Sequence, residues 1–203
     1  MNALQIDQDG LINAGSSGEF GWHGAEQVLA CPRRYAYLTQ NPGERGSGAQ
    51  GLGSLYHVVL AHLFTEGMFL PGVPVRLDVE QACKLLCSRW RGQRRLKPNP
   101  EDVLTRARNY HDEVFRRFPG FKVSRVESTY SVTFGNGVRF RQRVDLELAK
   151  RRSRVFIDHK SCSRIESRNL EEHTLSGQFL GMRWSGVKLY GTDFLGAFVG
   201  RFQ

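Results

Sequence analysis

Near residue 121 the hydrophobic pattern changes from a helical period to an alternation of apolar and polar residues, and this change constrains the fold most. Upstream of it, apolar residues recur at helical spacing. The predicted helices span 24–38, 53–66, 78–91 and 101–118. The first 23 residues are rich in Gly, Ser and Asn, so we expect a flexible lead-in there.

Downstream of residue 121, the alternation predicts a run of consecutive strands. The predicted strands span 122–134, 138–148 and 154–160, and a helix within 168–190 precedes a last strand over 194–202. Gly135, Asn136 and Gly137 suit a hairpin turn between the first two strands. This order predicts an α/β (α+β) domain with a helical N-terminal part. We expect residues 24–203 to form one domain, helical over about 24–120 and a sheet core over about 121–203.

The charge balance points to a polyanionic partner. The formal net charge is +9, and the basic residues are mostly arginines in short runs. Such a surface attracts nucleic acid or an anionic membrane. No apolar run approaches the roughly 20 residues that a spanning helix needs, and the N-terminus lacks a signal-peptide core. We therefore expect a cytoplasmic protein (host cytoplasm if virus-encoded) that binds nucleic acid and no membrane.

Two predicted strands carry acids where a sheet usually has Val or Thr. Asp145 lies in the second strand and Asp158 in the third, with Lys160 two places later. If these strands pair through the basic turn at 149–154, alternation brings the three side chains together on one side of the sheet. Close carboxylates repel unless a cation lies between them. The group therefore indicates metal-assisted phosphodiester hydrolysis, and the alternative is a surface hairpin with an Asp–Lys salt bridge.

Five segments, in this order, resemble motifs of the PD-(D/E)XK nuclease superfamily, and within it the RecB-like branch. The segments are ACPRRYAYL, GLGSLYHVVLAHLF, RVDLEL, FIDHKS and SGQFLGMRW. The branch includes CRISPR-associated RecB-like and phage-encoded exonucleases, and the resemblance covers about residues 24–200. It implies a restriction-endonuclease-like core, in which helices flank a central mixed β-sheet.

The resemblance also implies the members of an active site. The implied metal ligands are His57, Asp145, Asp158 and the backbone carbonyl of His159, and the implied cofactor is Mg²⁺ or Mn²⁺. Lys160 would be the catalytic lysine, and Gln178 would fix the site or contact DNA. Glu127 is a further candidate, because relatives often carry a glutamate at this position. Its alternative is a surface residue.

Two features of the chain depart from the branch, and the side chains of two further residues are not expected to bind the metal. Met182 stands where the branch usually has a tyrosine, and no cysteine follows Cys162, which argues against an iron–sulfur cluster in this chain. Glu147 alternates onto the same face as Asp145, and we expect a solvated strand glutamate. The side chain of His159 is expected to point away from the acids.

Basic residues in three segments are candidates for DNA contact. They are Arg33 and Arg34, then Arg91, Arg94 and Arg95 beside Trp90, and Arg151 and Arg152 in the turn that we expect near the site. Phosphate contacts of this kind supply most non-specific affinity, and a ring among cations suits stacking. The first two segments could equally form solvated helix faces.

Together these features predict a metal-dependent DNA nuclease, an exonuclease acting in recombination, repair or end processing. DNA is the expected partner, with recombination or CRISPR-adaptation proteins beside it. The alternative is a catalytically inactive nucleic-acid-binding or partner-recruiting module of the same fold. The retained set of two acids and a lysine favours the enzyme, since a degenerate module would tend to lose one. Polarity, strand preference and oligomeric state are left open.

Overall fold

A computed structural model describes residues 33, 48–65, 78–88, 97–133, 139–161 and 176–202. Within these residues the helices are α1 (Gly48–Phe64), α2 (Val79–Ser88), α3 (Pro100–Arg117) and α4 (Gly177–Tyr190). The strands are β1 (Lys122–Thr133), β2 (Arg139–Lys150), β3 (Ser153–Ser161) and β4 (Phe194–Phe202). Arg33 is helical, whereas the rest of the predicted first helix, the lead-in at 1–23 and the turn at 135–137 lie outside the described residues.

The described strands form one mixed sheet in the order β1-β2-β3-β4. β1 pairs with β2 and β2 with β3 in antiparallel fashion, whereas β4 runs parallel to β3. The parallel connection contains α4, as a crossover between parallel strands usually does. The predicted α/β fold, a central mixed sheet flanked by helices, is confirmed. No described helix has the length and apolarity needed to cross a membrane.

Each face of the sheet packs against a separate apolar cluster. Helices α1, α2 and α3 bury residues such as Leu60, Cys83 and Val103 against one face, and we call this the α1–α3 core. Helix α4 buries Phe179 and Met182 against the other face, and we call this the α4 core. The side chain of Met182 is fully buried, so the residue that departs from the branch pattern contributes to packing.

Helix α3 has a start and an end that its sequence explains. Asn99 caps its N-terminus by accepting a hydrogen bond from the Glu101 backbone N–H at 3.0 Å, and Pro100 is the first helical residue. Its inward positions are then spaced by three or four residues. They are Val103, Ala107, Tyr110 and Val114. The register of the helix therefore directs Tyr110 at the sheet.

The predicted continuous alternation along β2 is wrong. Leu146 and Leu148 lie in the α1–α3 core as one set, but Val144 lies in the α4 core on the opposite face. The change of face occurs beside Glu127 of β1, whose φ of 47° is in the left-handed region. A residue in that conformation interrupts the pleat of a strand. Alternation therefore assigns the faces correctly only on each side of this irregularity.

Glu147 is buried, so the expectation of a solvated glutamate is wrong. It is 2% exposed and accepts hydrogen bonds from the hydroxyls of Tyr130 and Tyr190 on the α4 side of the sheet. The Arg154 guanidinium adds an ion pair at 3.3 Å. A buried carboxylate with this many partners is satisfied. It is also separated from Asp145, because the change of face lies between them.

Candidate active site

Three elements bring potential metal ligands together at one edge of the α1–α3 core. His57 projects from α1, Glu127 from β1 and Asp145 from β2, and one ligand atom of each lies within 4.8 Å of the others. The Nδ1 atom of His57 is 3.3 Å from Oε1 of Glu127 and 3.7 Å from Oδ1 of Asp145. Both carboxylates are almost fully buried, whereas His57 keeps a fifth of its side chain exposed. We call this set the histidine–carboxylate group.

Glu127 adopts a left-handed conformation, with a φ of 47°, at the point where its side chain joins this group. A positive φ is uncommon for a residue that carries a side chain. Arg143 of β2 holds the second carboxylate oxygen of Glu127, with Nε 3.2 Å from Oε2. Non-glycine residues in this conformation carry strain and are common at functional sites. Glu127 is therefore fixed from both sides, by His57 and by Arg143.

Asp145 connects β2 to β3 where their backbone pairing ends. The ladder runs from the turn to the pair Leu146–Ile157. Beyond that pair, Oδ2 of Asp145 accepts a hydrogen bond from the His159 backbone N–H at 2.6 Å. A carboxylate that accepts from a backbone N–H makes a short, strong bond. Asp145 is thus locked to the segment of β3 that carries the second acid and the lysine.

Asp158, Lys160 and Gln178 form a second set, which we call the lysine–glutamine group. Lys160 Nζ is 2.9 Å from Oδ2 of Asp158, and the Gln178 amide donates to Oδ1 of Asp158 at 2.9 Å. Lys160 also donates to Oε1 of Gln178 at 3.3 Å, which closes the ring of contacts. Gln178 lies in the first turn of α4, just after the cap residue Ser176. A small pocket opens beside these side chains, against Phe179.

Charges in one group shift the pKa of a residue in the other group. Burial lowers the pKa of His57, but the charge of Asp145 and the hydrogen bond with Glu127 outweigh it and raise the pKa to about 9. Burial and the charge of Asp145 raise the pKa of Asp158 to about 6, against the opposing effect of Lys160. Asp145 keeps a lowered pKa despite its burial, because His57 and other positive groups surround it. Closely spaced buried carboxylates therefore dominate the site.

The donor set fits a hard divalent cation. Two carboxylate oxygens and an imidazole nitrogen converge, and oxygen donors are what Mg²⁺ prefers, whereas Mn²⁺ accepts nitrogen as well. With the imidazole neutral, three carboxylates would face two permanent cations, which leaves negative charge for an ion to balance. The carboxylates are Glu127, Asp145 and Asp158, and the cations are Arg143 and Lys160.

The structure brings together the residues that the resemblance implies, but it groups them differently. His57 and Asp145 lie in the histidine–carboxylate group with Glu127, whereas Asp158 is held by Lys160 and Gln178 on the α4 side. The imidazole of His159 packs on the α1–α3 side, where burial lowers its pKa to about 4. The residues that the resemblance implies therefore lie in two neighbouring groups, and their roles in a site stay a prediction.

Of the candidates for DNA contact, the structure describes Arg33, Arg151 and Arg152. Arg33 is exposed, as are Arg151 and Arg152 at the turn between β2 and β3. That turn is six residues from Asp145 along β2, or about 20 Å at the rise of a strand. The expectation that the turn lies near the site is therefore wrong. Arg34, Arg91, Arg94 and Arg95 lie outside the described residues.

Sequence reasoning missed two residues that touch the site. Arg143 alternates with Asp145 in RVDLEL, and that shared spacing was the available signal for its contact with Glu127. Tyr110 lies on the buried face of α3, and its hydroxyl contacts the His159 imidazole at 2.8 Å. No local signal marks it, because 49 positions separate the two residues.

Comparison with known protein families agrees with this geometry. The model of the PD-(D/E)XK nuclease superfamily matches residues 23–180, which is most of the chain. The match includes the histidine, the three acids, the lysine and the glutamine of the two groups. Comparison with curated proteins gave no match. By its sequence over these residues, the chain belongs to the PD-(D/E)XK nuclease superfamily.

Proposed function

We propose that this protein is a divalent-metal-dependent deoxyribonuclease of the RecB-like branch, an exonuclease that processes DNA ends in recombination or repair. The observation that carries the proposal is the meeting of the histidine–carboxylate group and the lysine–glutamine group where the β2–β3 ladder ends. Recombination or CRISPR-adaptation proteins would be its partners, by the same resemblance.

His57, Glu127 and Asp145 are the residues that would hold the ion, because their donor atoms already converge. Asp158 and the backbone carbonyl of His159 are the further ligands that the resemblance implies. A bound Mg²⁺ or Mn²⁺ would supply an activated water and would offset the negative charge of a phosphate. Burial of the carboxylates strengthens this electrostatic effect, because few waters screen it.

Lys160 is suited to act on the phosphate directly. Its ammonium is 2.9 Å from Asp158, and about a third of the side chain is exposed, so Lys160 can reach a ligand at the mouth of the site. Gln178 accepts from Lys160 and donates to Asp158, which fixes the direction of both side chains. A cation held in place before the reaction stabilises charge that develops on phosphate oxygens.

A groove beside the site supports approach of a nucleic-acid strand. It lies between the end of α1, α3 and β1, has a volume of about 1290 Å³ and reaches Glu127. Partly exposed rings line it, with His111 and Phe115 at 4.9 Å between centroids, and Lys122 and Arg125 add positive charge. Rings and cations in one groove suit bases and phosphates respectively.

The test is degradation of end-labelled linear DNA with Mn²⁺, with and without EDTA, by the wild-type chain and by Asp158→Ala. We expect metal-dependent cleavage that the substitution abolishes, with Asp102→Asn, an exposed acid of α3, as a matched control that cleaves normally. Substrates blocked at the 5′ or 3′ end then give the polarity. Equal degradation by Asp158→Ala would contradict the proposal of an enzyme. Salt-dependent DNA binding without cleavage would instead support the alternative, a catalytically inactive binding module.

A further inference from the structure

The geometry points to Tyr110 as a positioning residue: through the imidazole of His159, its hydroxyl holds the part of β3 that carries Asp158 and Lys160. The inference rests on the proposed nuclease function of the same site. Tyr110 comes from α3, which contributes none of the side chains of the two groups. It would therefore influence the site without touching the metal or the DNA.

The contact between Tyr110 and His159 is buried and specific. The tyrosine hydroxyl is 2.8 Å from Nδ1 of His159, and the rings meet edge to face with centroids 5.2 Å apart. Tyr110 is 6% exposed and His159 is 2% exposed. Within the described residues Nε2 of His159 has no hydrogen-bond partner. Loss of the tyrosine hydroxyl would therefore leave the whole imidazole unsatisfied in a buried site.

The backbone of His159 is where this contact reaches the site. Its N–H donates to Asp145 at 2.6 Å, and its chain neighbours are Asp158 and Lys160. A rotation of the His159 side chain and backbone would thus alter the Asp145 contact and redirect both neighbours. Because the β2–β3 ladder has already ended, this segment is held by its parallel pairing with β4 on one side and, toward β2, by the Asp145 contact.

Helix α1 supports the imidazole from another side. The ring of Phe64 stacks on His159 with centroids 5.6 Å apart and planes 10° apart. The His57 ring lies at 6.0 Å from the same imidazole. His159 is thus held between α1, which carries one member of the histidine–carboxylate group, and the hydroxyl from α3.

Gly200 of β4 leaves the space that the Tyr110 hydroxyl occupies. It is the partner of His159 in the parallel pairing of β3 with β4. A Cβ atom at this position would lie 1.7 Å from the Tyr110 hydroxyl oxygen, closer than any non-bonded contact allows. Absence of a side chain at residue 200 therefore gives the hydroxyl its path to His159.

The test compares Tyr110→Phe with Tyr130→Phe in the full chain. Tyr130 is equally buried and its hydroxyl also makes a hydrogen bond, but to Glu147 on the opposite face of the sheet. Mn²⁺ affinity is measured by calorimetry and DNA cleavage by steady-state kinetics. We expect about tenfold weaker Mn²⁺ binding and a lower kcat at unchanged KM in Tyr110→Phe alone, a loss of the size seen when partners of metal ligands are removed.

Gly200→Ala provides a second route to the same result, because it displaces the hydroxyl while leaving tyrosine in place. It should weaken Mn²⁺ binding as Tyr110→Phe does, with folding checked by circular dichroism. Mn²⁺ affinity equal to wild type in either folded variant, or reduced equally in Tyr130→Phe, would overturn the inference. Failure of the nuclease proposal is distinguishable, since it shows as absence of metal-dependent cleavage by the wild-type chain.

Discussion

At the scale of single residues, the candidate site depends on two buried aspartates, each held by its own hydrogen-bond and ion-pair partners. Asp145 accepts a backbone N–H with one oxygen and faces His57 with the other. Asp158 has both oxygens engaged, by Gln178 and by Lys160. Because each acid has a different set of partners, substitutions at the two positions should have different consequences.

Asp145→Asn should strongly weaken metal binding and abolish cleavage. The amide keeps the size of the side chain, but it removes a negative ligand from the histidine–carboxylate group. We expect Mn²⁺ affinity to fall by about 100-fold or more, the upper end of the effects seen around metal ligands. Calorimetric titration with Mn²⁺ measures this, and wild-type affinity in a folded Asp145→Asn protein would contradict it.

Lys160→Met should separate catalysis from metal binding. The ammonium contacts Asp158 and Gln178 and lies outside the histidine–carboxylate group, whose donor atoms converge. We expect kcat to fall by about 100-fold, as when one preorganised donor is removed, with Mn²⁺ affinity within a few-fold of wild type. Lys188→Met, an exposed lysine of α4, is the matched control. A parallel loss of metal binding would show that Lys160 mainly shapes the metal site.

At the scale of elements, α4 is placed by close packing on the sheet. A Cβ atom on Gly186 would lie 2.3 Å from the ring of Phe194 in β4. The helix therefore approaches the sheet to a distance that a larger residue would prevent. The N-terminal turn of the same helix carries Gln178, so this packing also sets the position of the lysine–glutamine group.

Gly186→Ala should destabilise the protein, although alanine favours helix by about 1 kcal/mol over glycine. Overpacking against Phe194 should cost about 1–3 kcal/mol. Addition of Phe194→Leu should recover part of the loss, because it removes the ring that the new methyl group meets. Denaturant unfolding of the single and double variants measures the coupling. Stabilisation by Gly186→Ala alone would show that the helix can shift freely.

At the scale of the whole molecule, the sheet separates two apolar cores, and each core supports one group of the candidate site. The α1–α3 core supports the histidine–carboxylate group, and the α4 core supports the lysine–glutamine group. The groups meet only where β2 and β3 stop pairing. An ion shared by residues of α1, β1 and β2 would therefore join elements that are far apart in the sequence.

Divalent metal should consequently stabilise the folded chain as a whole. At a Mn²⁺ concentration 100 times the dissociation constant, binding contributes about 2.7 kcal/mol, which shifts Tm by roughly 5–10 °C for a domain of this size. Thermal unfolding in Mn²⁺ and then in EDTA measures the shift. The same shift in Asp145→Asn would place the ion at another site.

The sequence predicted elements and chemistry where local pattern decides them. The alternation in FIDHKS gave a strand with Asp158 and Lys160 on one face, and both contact Gln178 as side chains of one face should. The same reasoning predicted Glu147 wrongly, because the faces of β2 change between Val144 and Leu146, beside the left-handed Glu127 of the neighbouring strand. Periodicity carries no information about such an irregularity.

By itself the sequence determined the order of the described helices and strands, the superfamily and the acids, lysine and glutamine of the candidate site, since each depends on short-range spacing. Only the tertiary structure decided that Glu127 joins His57 and Asp145, that Asp158 pairs with Lys160 and Gln178, and that Glu147 is buried. It also brought Tyr110 to His159 across 49 positions. These contacts join residues distant in sequence, so they arise from how the sheet bends and how helices pack on it.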